Sequence, residues 1–99
     1  GQPIAPPPVD LFVALDGTRA RTAAFALTAE ARRARLHAQL ELAGRSLKGQ
    51  LKQADRLGAR YVAIVGDEGA VLKDMHAGEQ QHVAVTEVVT RILRERGLR

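Results

Sequence analysis

The sequence predicts a three-layer α/β/α domain on a mixed five-stranded sheet, with elements in the order β-α-β-α-β-β-β-α. Two short, wholly apolar runs, Leu11–Leu15 (LFVAL) and Tyr61–Val65 (YVAIV), read as strands covered on both faces. Segments with helical spacing separate the first three strands, so right-handed crossovers join them and they run parallel. Two later strand-like segments meet near Gly78 and read as a hairpin, which brings in antiparallel pairing. A chain of 99 residues holds one such domain. At that length it buries roughly two-thirds of its unfolded surface, enough for one core.

Residues 1–9 (GQPIAPPPV) are Pro-rich and uncharged and read as a linker or tag remnant, which leaves 10–99 as the domain. After the first strand, Asp16-Gly17-Thr18 makes a turn, and Thr18 or Asp16 can cap the helix that follows. That helix is expected from Arg19 to Arg35. Ala20, Ala24, Leu27, Ala31 and Ala34 form a stripe small enough to lie close to a sheet. Arg32, Arg33 and Arg35 crowd its last turn, where cations suit the helix dipole.

The second strand is expected over Leu36–Leu42, because Leu36, Ala38, Leu40 and Leu42 alternate with His37, Gln39 and Glu41. One wet face places it at a sheet edge. Ser46 is a good N-cap for a second helix over Leu47–Leu57, with Leu47, Leu51, Ala54 and Leu57 on its apolar face and Gly58 just past its end. Tyr61–Val65 reads as the central strand. Ala70–Met75 and Gln80–Val85 follow as strands joined through His76–Glu79. The last helix spans Thr86–Arg96, with Val88, Val89, Ile92 and Leu93 inward and Gly97 ending it.

Composition narrows the function. Fifteen basic against eleven acidic residues leave a net charge of +4, which suits a polyanion such as nucleic acid and equally an arginine-rich soluble domain. Only Lys48, Lys52 and Lys73 are lysines. The aromatic residues are Phe12, Phe25 and Tyr61, too few for a base-stacking platform built on several exposed rings. No cysteine is present, which excludes a disulfide scaffold, a thiolate zinc site and a thiol nucleophile. No apolar run approaches the ~18 residues of a membrane span, and the first residues lack the charged and apolar regions of a secretory signal, so the cytoplasm is expected. The phosphate-loop, dinucleotide, nucleophile-elbow and metalloprotease motifs are missing. His37, His76 and His82 fit no metal-ligand spacing. Asp67 and Glu68 follow a strand with no nucleophile or oxyanion donors beside them, so no catalytic residue and no metal ligand is assigned.

The segment Gly44–Gly66 (GRSLKGQLKQADRLGARYVAIVG) stands out. A glycine turn there aims a helix N-terminus outward from the C-terminal edge of a parallel sheet, where ligands of open α/β sheets bind. Free N–H groups at such a terminus attract phosphate or base acceptors. Arg45, Lys48 and Lys52 lie within two turns of it and can hold an RNA backbone.

The same wording resembles the C-terminal anticodon-binding domain of histidyl-tRNA synthetase, a class II aminoacyl-tRNA synthetase. Gly44-Arg45-Ser46-Leu47-Lys48, Gln50-Leu51-Lys52, Ala54-Asp55 and Leu57-Gly58-Ala59-Arg60-Tyr61 follow that family's pattern. Val71-Leu72-Lys73-Asp74 and Gly78-Glu79-Gln80 resemble its next hairpin, and the likeness runs from Asp10 to Leu98. The resemblance implies a sheet edge that receives the GUG anticodon loop of the histidine tRNA. It implies contacts from Gly44 and Arg45, from Asp67 and Glu68, and from Lys73; Ser46, Lys48 and Lys52, at the start of the same helix, complete the candidate tRNA-binding residues. The Glu68-Gly69-Ala70 connection is shorter than the family's usual insertion.

The resemblance further implies a parent histidine–tRNA ligase, homodimeric, whose catalytic domain holds ATP and Mg²⁺. This domain carries no cofactor and no active site, and neither DNA nor a membrane is expected as partner. A non-catalytic regulatory or adaptor module and a flavodoxin-like ligand-binding domain are the other readings. Arg45 offers a planar fork for phosphate or guanine O6/N7. Asp67 or Glu68 can accept from guanine N1–H and N2–H₂ or cap a turn. Lys73, set among Val71, Leu72 and Met75, must reach an edge or a partner. Alanine at Lys73 or Arg45 is expected to weaken RNA binding and leave the fold intact.

Overall fold

Strand β1 (Leu11–Leu15) is buried from Leu11 through Ala14, as its unbroken apolar run requires. A computed structural model, which describes residues 7–97, sets it between β2 (Ala38–Leu40) and β3 (Tyr61–Gly66), parallel to both. Strand β4 (Gly69–Asp74) pairs antiparallel with β3, and β5 (Glu79–Val83) pairs antiparallel with β4. The sheet order is β2-β1-β3-β4-β5, so β3 is central and β2 lies at an edge. The mixed five-stranded sheet is the one expected.

Side-chain alternation divides the core between two faces of the sheet. Leu11, Val13, Tyr61, Ala63, Val65 and Leu72 face α1 (Arg21–Arg33) and α3 (Val88–Glu95), where they meet Ala24, Leu27, Ala31, Val88, Val89 and Ile92. Phe12, Ala14, Val62 and Ile64 face α2 (Leu47–Arg56), where they meet Leu47, Leu51, Ala54 and Leu57. Two helices on one face and one on the other complete the three layers. Among the described residues no helix is long and apolar enough to cross a membrane.

Several boundaries differ from the sequence reading. The first helix begins as a single 3₁₀ turn, Thr18–Ala20, and neither 3₁₀ turn nor α1 has a side-chain cap, so Asp16 and Thr18 do not serve as caps. It stops at Arg33, and Arg35 is in the left-handed region with φ 66°. Arg32 and Arg33 stand in the last turn of α1 as expected, and Arg32 also ties the helix to the edge strand: its Nε and Nη2 both donate to Ala38 O, at 3.2 and 3.1 Å. The second strand is three residues long where seven were expected. Glu41 N–H still donates to Val13 O at 3.0 Å, but the chain then turns. The alternation inverts there, with Glu41 4% exposed and Leu42 80% exposed.

A 3₁₀ turn, Val85–Glu87, also precedes α3. Residues 1–6 of the expected linker and residues 98–99 lie outside the described residues. Val9, placed in that linker, is 3% exposed and packs with Phe12 and Val62. Its carbonyl accepts from Arg60 N–H at 3.0 Å, so the ordered strand lead-in starts before Asp10.

Gly58 ends α2 at φ 68°, as its position past the last apolar residue predicts. Beyond it, Arg60 Nε donates to Asp74 Oδ1 at 3.2 Å and joins the start of β3 to the end of β4. That bond, with N–H groups of Ala77 and His76 on the same carboxylate, holds the Asp74 carboxyl below its ordinary pKa against the opposing effect of burial.

Candidate nucleic-acid interface

The C-terminal ends of β2, β1 and β3 share one margin of the sheet, because the three strands are parallel. Three connections leave from it: the turn at Asp16–Gly17, the loop from Glu41 to Ser46, and the two-residue turn Asp67–Glu68 between β3 and β4. Helix α2 starts there. Ser46 caps it, its Oγ accepting from Gly49 N–H at 3.2 Å. The preceding loop turns at Gly44, where φ is 69°. A side chain at Gly44 would meet nothing within 4 Å, so backbone conformation and not space requires glycine.

Gln50 holds this loop in place. It is 3% exposed. Its Oε1 accepts from Leu15 N–H at 2.7 Å, and its Nε2 donates to Leu15 O at 2.9 Å and to Arg45 O at 3.0 Å. One amide thus joins the end of β1, the first turns of α2 and the loop between β2 and α2. Gln50 was missed in the sequence reading. The signal was there, since position 50 falls in the stripe of 47, 51, 54 and 57, and a polar residue in an apolar stripe needs partners.

Arg45 Nη1 donates to Glu41 Oε1 at 2.7 Å. The Glu41 side chain is 2% exposed and that of Arg45 39%. Ala43 N–H donates to the same oxygen at 3.2 Å, and Glu41 Oε2 has no donor among the described residues. Glu41 was also missed, and here alternation pointed the wrong way, to a wet face. Arg45→Ala therefore does more than remove a cation. It strips a buried carboxylate of its charged donor, and we expect stability to fall by about 1–3 kcal/mol. A urea midpoint equal to that of the wild type would refute this. The variant is still expected to fold, but at lower stability than the loss of a free surface cation would give.

Lys48 and Lys52 are exposed one turn apart on α2, and neither forms an ion pair among the described residues. Lys48 sits in the first turn, which holds no acidic residue. A cation there opposes the helix dipole, so an anion bound nearby would relieve both. Asp67 and Glu68 are exposed, and neither side chain accepts a hydrogen bond from the described residues, so they do not cap their turn. A side chain at Gly17 would come to 4.0 Å from Asp67 Oδ1, which sets this turn beside the exit from β1. A cavity of about 240 Å³ lies elsewhere, over Tyr61 and Glu79. At the margin itself, a cavity of about 230 Å³ is lined by Gly17, Thr18, Arg21, Glu41, Gly44 and Arg45.

Seven of the eight expected residues thus lie at this margin or along α2 leading from it: Gly44, Arg45, Ser46, Lys48, Lys52, Asp67 and Glu68. Lys73 does not. It lies opposite Val62, near the other end of β3. Four residues separate it from Gly69, about 13 Å at the rise of a strand. It is half-buried, on the sheet face that carries α2.

The sequence matches the family described as "Anticodon binding domain" over residues 10–95. It is 39% identical over 88 residues to a histidine–tRNA ligase of Acetivibrio thermocellus, covering 84% of this chain and 21% of that protein. It is 44% identical over 85 residues to the histidine–tRNA ligase of Geobacillus kaustophilus, covering 81% of this chain and 20% of the relative. The chain therefore spans about a fifth of the curated relatives it matches. Among solved structures, apo histidyl-tRNA synthetase of Staphylococcus aureus superposes with TM-score 0.78 at 31% identity, over 86% of this chain and 23% of that one. The RNA-binding domain of threonyl-tRNA synthetase from Cryptosporidium parvum superposes over 88% of this chain and 23% of that one, with TM-score 0.76. At 11% identity it shares the fold alone.

Proposed function

This chain belongs to the anticodon-binding domain family, and from that premise we propose that it reads the GUG anticodon of the histidine tRNA for a histidine–tRNA ligase in the cytoplasm. The longer protein would be a homodimer whose catalytic part binds ATP and Mg²⁺ and joins histidine to tRNA. This domain would contribute recognition and no chemistry.

The observation that carries the reading is the sheet margin. Exposed Lys48 and Lys52, the part of the Arg45 fork left beyond its bond to Glu41, and the first N–H groups of α2 would serve phosphate, while Asp67 and Glu68 offer acceptors uncommitted to other described residues. Donors and acceptors in one place suit a folded RNA loop, which presents phosphates and unstacked base edges together. A simple anion site would have no use for the two carboxylates. With only Phe25 exposed among the Phe and Tyr rings, hydrogen bonds and charge carry most of the recognition, with little stacking.

A hairpin RNA with GUG in its loop is expected to bind the chain, and to bind more tightly than one with a changed anticodon. The logarithm of the association constant should fall against the logarithm of salt with a slope of about −0.7 per single-strand phosphate neutralised. Fluorescence anisotropy across a salt series measures it. Binding without preference for GUG, or without salt dependence, would overturn the proposal.

A further inference from the structure

Helix α2 covers only part of its sheet face. Its apolar residues meet Phe12 and Ala14 of β1 and Val62 and Ile64 of β3. The register carries this face outward onto β4 and β5. Val62 lies opposite Lys73, which lies opposite Gln80, and Ile64 lies opposite Val71, which lies opposite His82. Directly opposed residues of antiparallel strands project to the same side. Lys73, Gln80, Val71 and His82 therefore form a two-by-two array beside α2, with no helix of the described residues over it.

The array has a definite chemistry. Lys73 and Val71 are half-buried, Gln80 and His82 exposed. None of the three polar side chains makes a hydrogen bond or ion pair among the described residues. Neither row contains a carboxylate, since Glu79 and Asp74, the nearest on these strands, alternate to the opposite side. An ammonium, an amide and an imidazole thus stand uncommitted on a cationic shelf floored by Val71 and Ile64.

We propose that Gln80 and His82, with Lys73, form a base-reading row for the unstacked bases of a single-stranded RNA loop. This rests on the anticodon reading above and assigns it two further residues. Lys73 donates only, which suits guanine O6 and N7. Gln80 has a donor and an acceptor side by side, which suits the paired O4 and N3–H of uracil. The His82 ring supplies a flat surface for stacking, the role that the scarce aromatic residues leave open. The occupant is RNA because the shelf is cationic, and because alternating donors and acceptors over an apolar floor match base edges better than phosphate alone.

The test uses the 99-residue chain with hairpin RNAs carrying GUG or a single change at each anticodon position. Gln80→Ala is expected to weaken binding of GUG about tenfold and to narrow discrimination at one position, most sharply the uracil. His82→Ala should weaken all the RNAs by a similar factor, and His82→Phe should restore most of the loss. Melting curves should not move, since both side chains are exposed and unbonded. If the wild type prefers GUG but both alanine variants match it in affinity and discrimination, the row is wrong and the anticodon reading stands. If Gln80→Ala weakens every RNA alike, Gln80 touches the backbone and the base-reading role is overturned. If the wild type shows no preference for GUG, the anticodon reading fails and this inference with it.

Discussion

Gln50→Ala is expected to lower the stability of the fold by about 2–4 kcal/mol, through three part-buried hydrogen bonds of one buried amide lost together. Leu15 N–H, Leu15 O and Arg45 O would each lose the partner that Gln50 provides. In a domain of this size that corresponds to a melting point lower by about 10–25 °C. Gln50→Leu separates the causes. It keeps most of the side-chain volume but restores none of the bonds, so it should cost nearly as much as alanine. A leucine variant as stable as the wild type would show that Gln50 only fills space. RNA binding should weaken in both variants at a temperature where they remain folded, because Arg45 O is one of the groups released and the loop from Glu41 to Ser46 loses its tie to β1.

Lys73→Ala should behave in the opposite manner. It is half-buried without any hydrogen bond or ion pair among the described residues, so the melting point should hardly change. Affinity for a GUG hairpin should fall by about 1–3 kcal/mol, with discrimination against a changed anticodon narrowing. A contact to phosphate alone would weaken both RNAs equally and leave the ratio unchanged. Loss of stability without loss of affinity would mean that the lysine serves the fold. Unchanged affinity for both RNAs would remove it from the site. The distance of Lys73 from the Gly44 margin sharpens the expectation. Residues about 13 Å apart along β4 meet different nucleotides, so Lys73→Ala should affect a different anticodon position from Asp67→Asn or Glu68→Gln.

Much of the fold was legible in the sequence, and for a local reason. Two short apolar runs read as buried strands, Ser46 read as a cap, and the stripe of 47, 51, 54 and 57 defined the inner face of α2. The edge position expected for β2 is the one observed, although Glu41 of its expected wet face is buried. Each of these depends on residues close in sequence, where spacing alone settles which side faces the core. The candidate site was legible as a set of residue types, since a capped helix start, nearby cations and a pair of acids in a turn are also local features.

The partners of those residues were decided elsewhere. Glu41 continued an alternating pattern that assigned it to solvent, yet it turns inward because Arg45 and the Ala43 N–H stand ready to receive it after β2 has ended. Gln50 faces the end of β1, a strand 35 residues away, whose last backbone groups need a donor and an acceptor where the sheet stops. Lys73 was grouped with Arg45 and Asp67, and antiparallel pairing with β3 carried it to the far end of the strand. Periodicity in the chain determined which faces were apolar and where the elements began. Only the tertiary structure decided which buried polar groups would meet and which uncommitted ones would share a face, because hydrogen bonds between distant segments leave no period in the sequence.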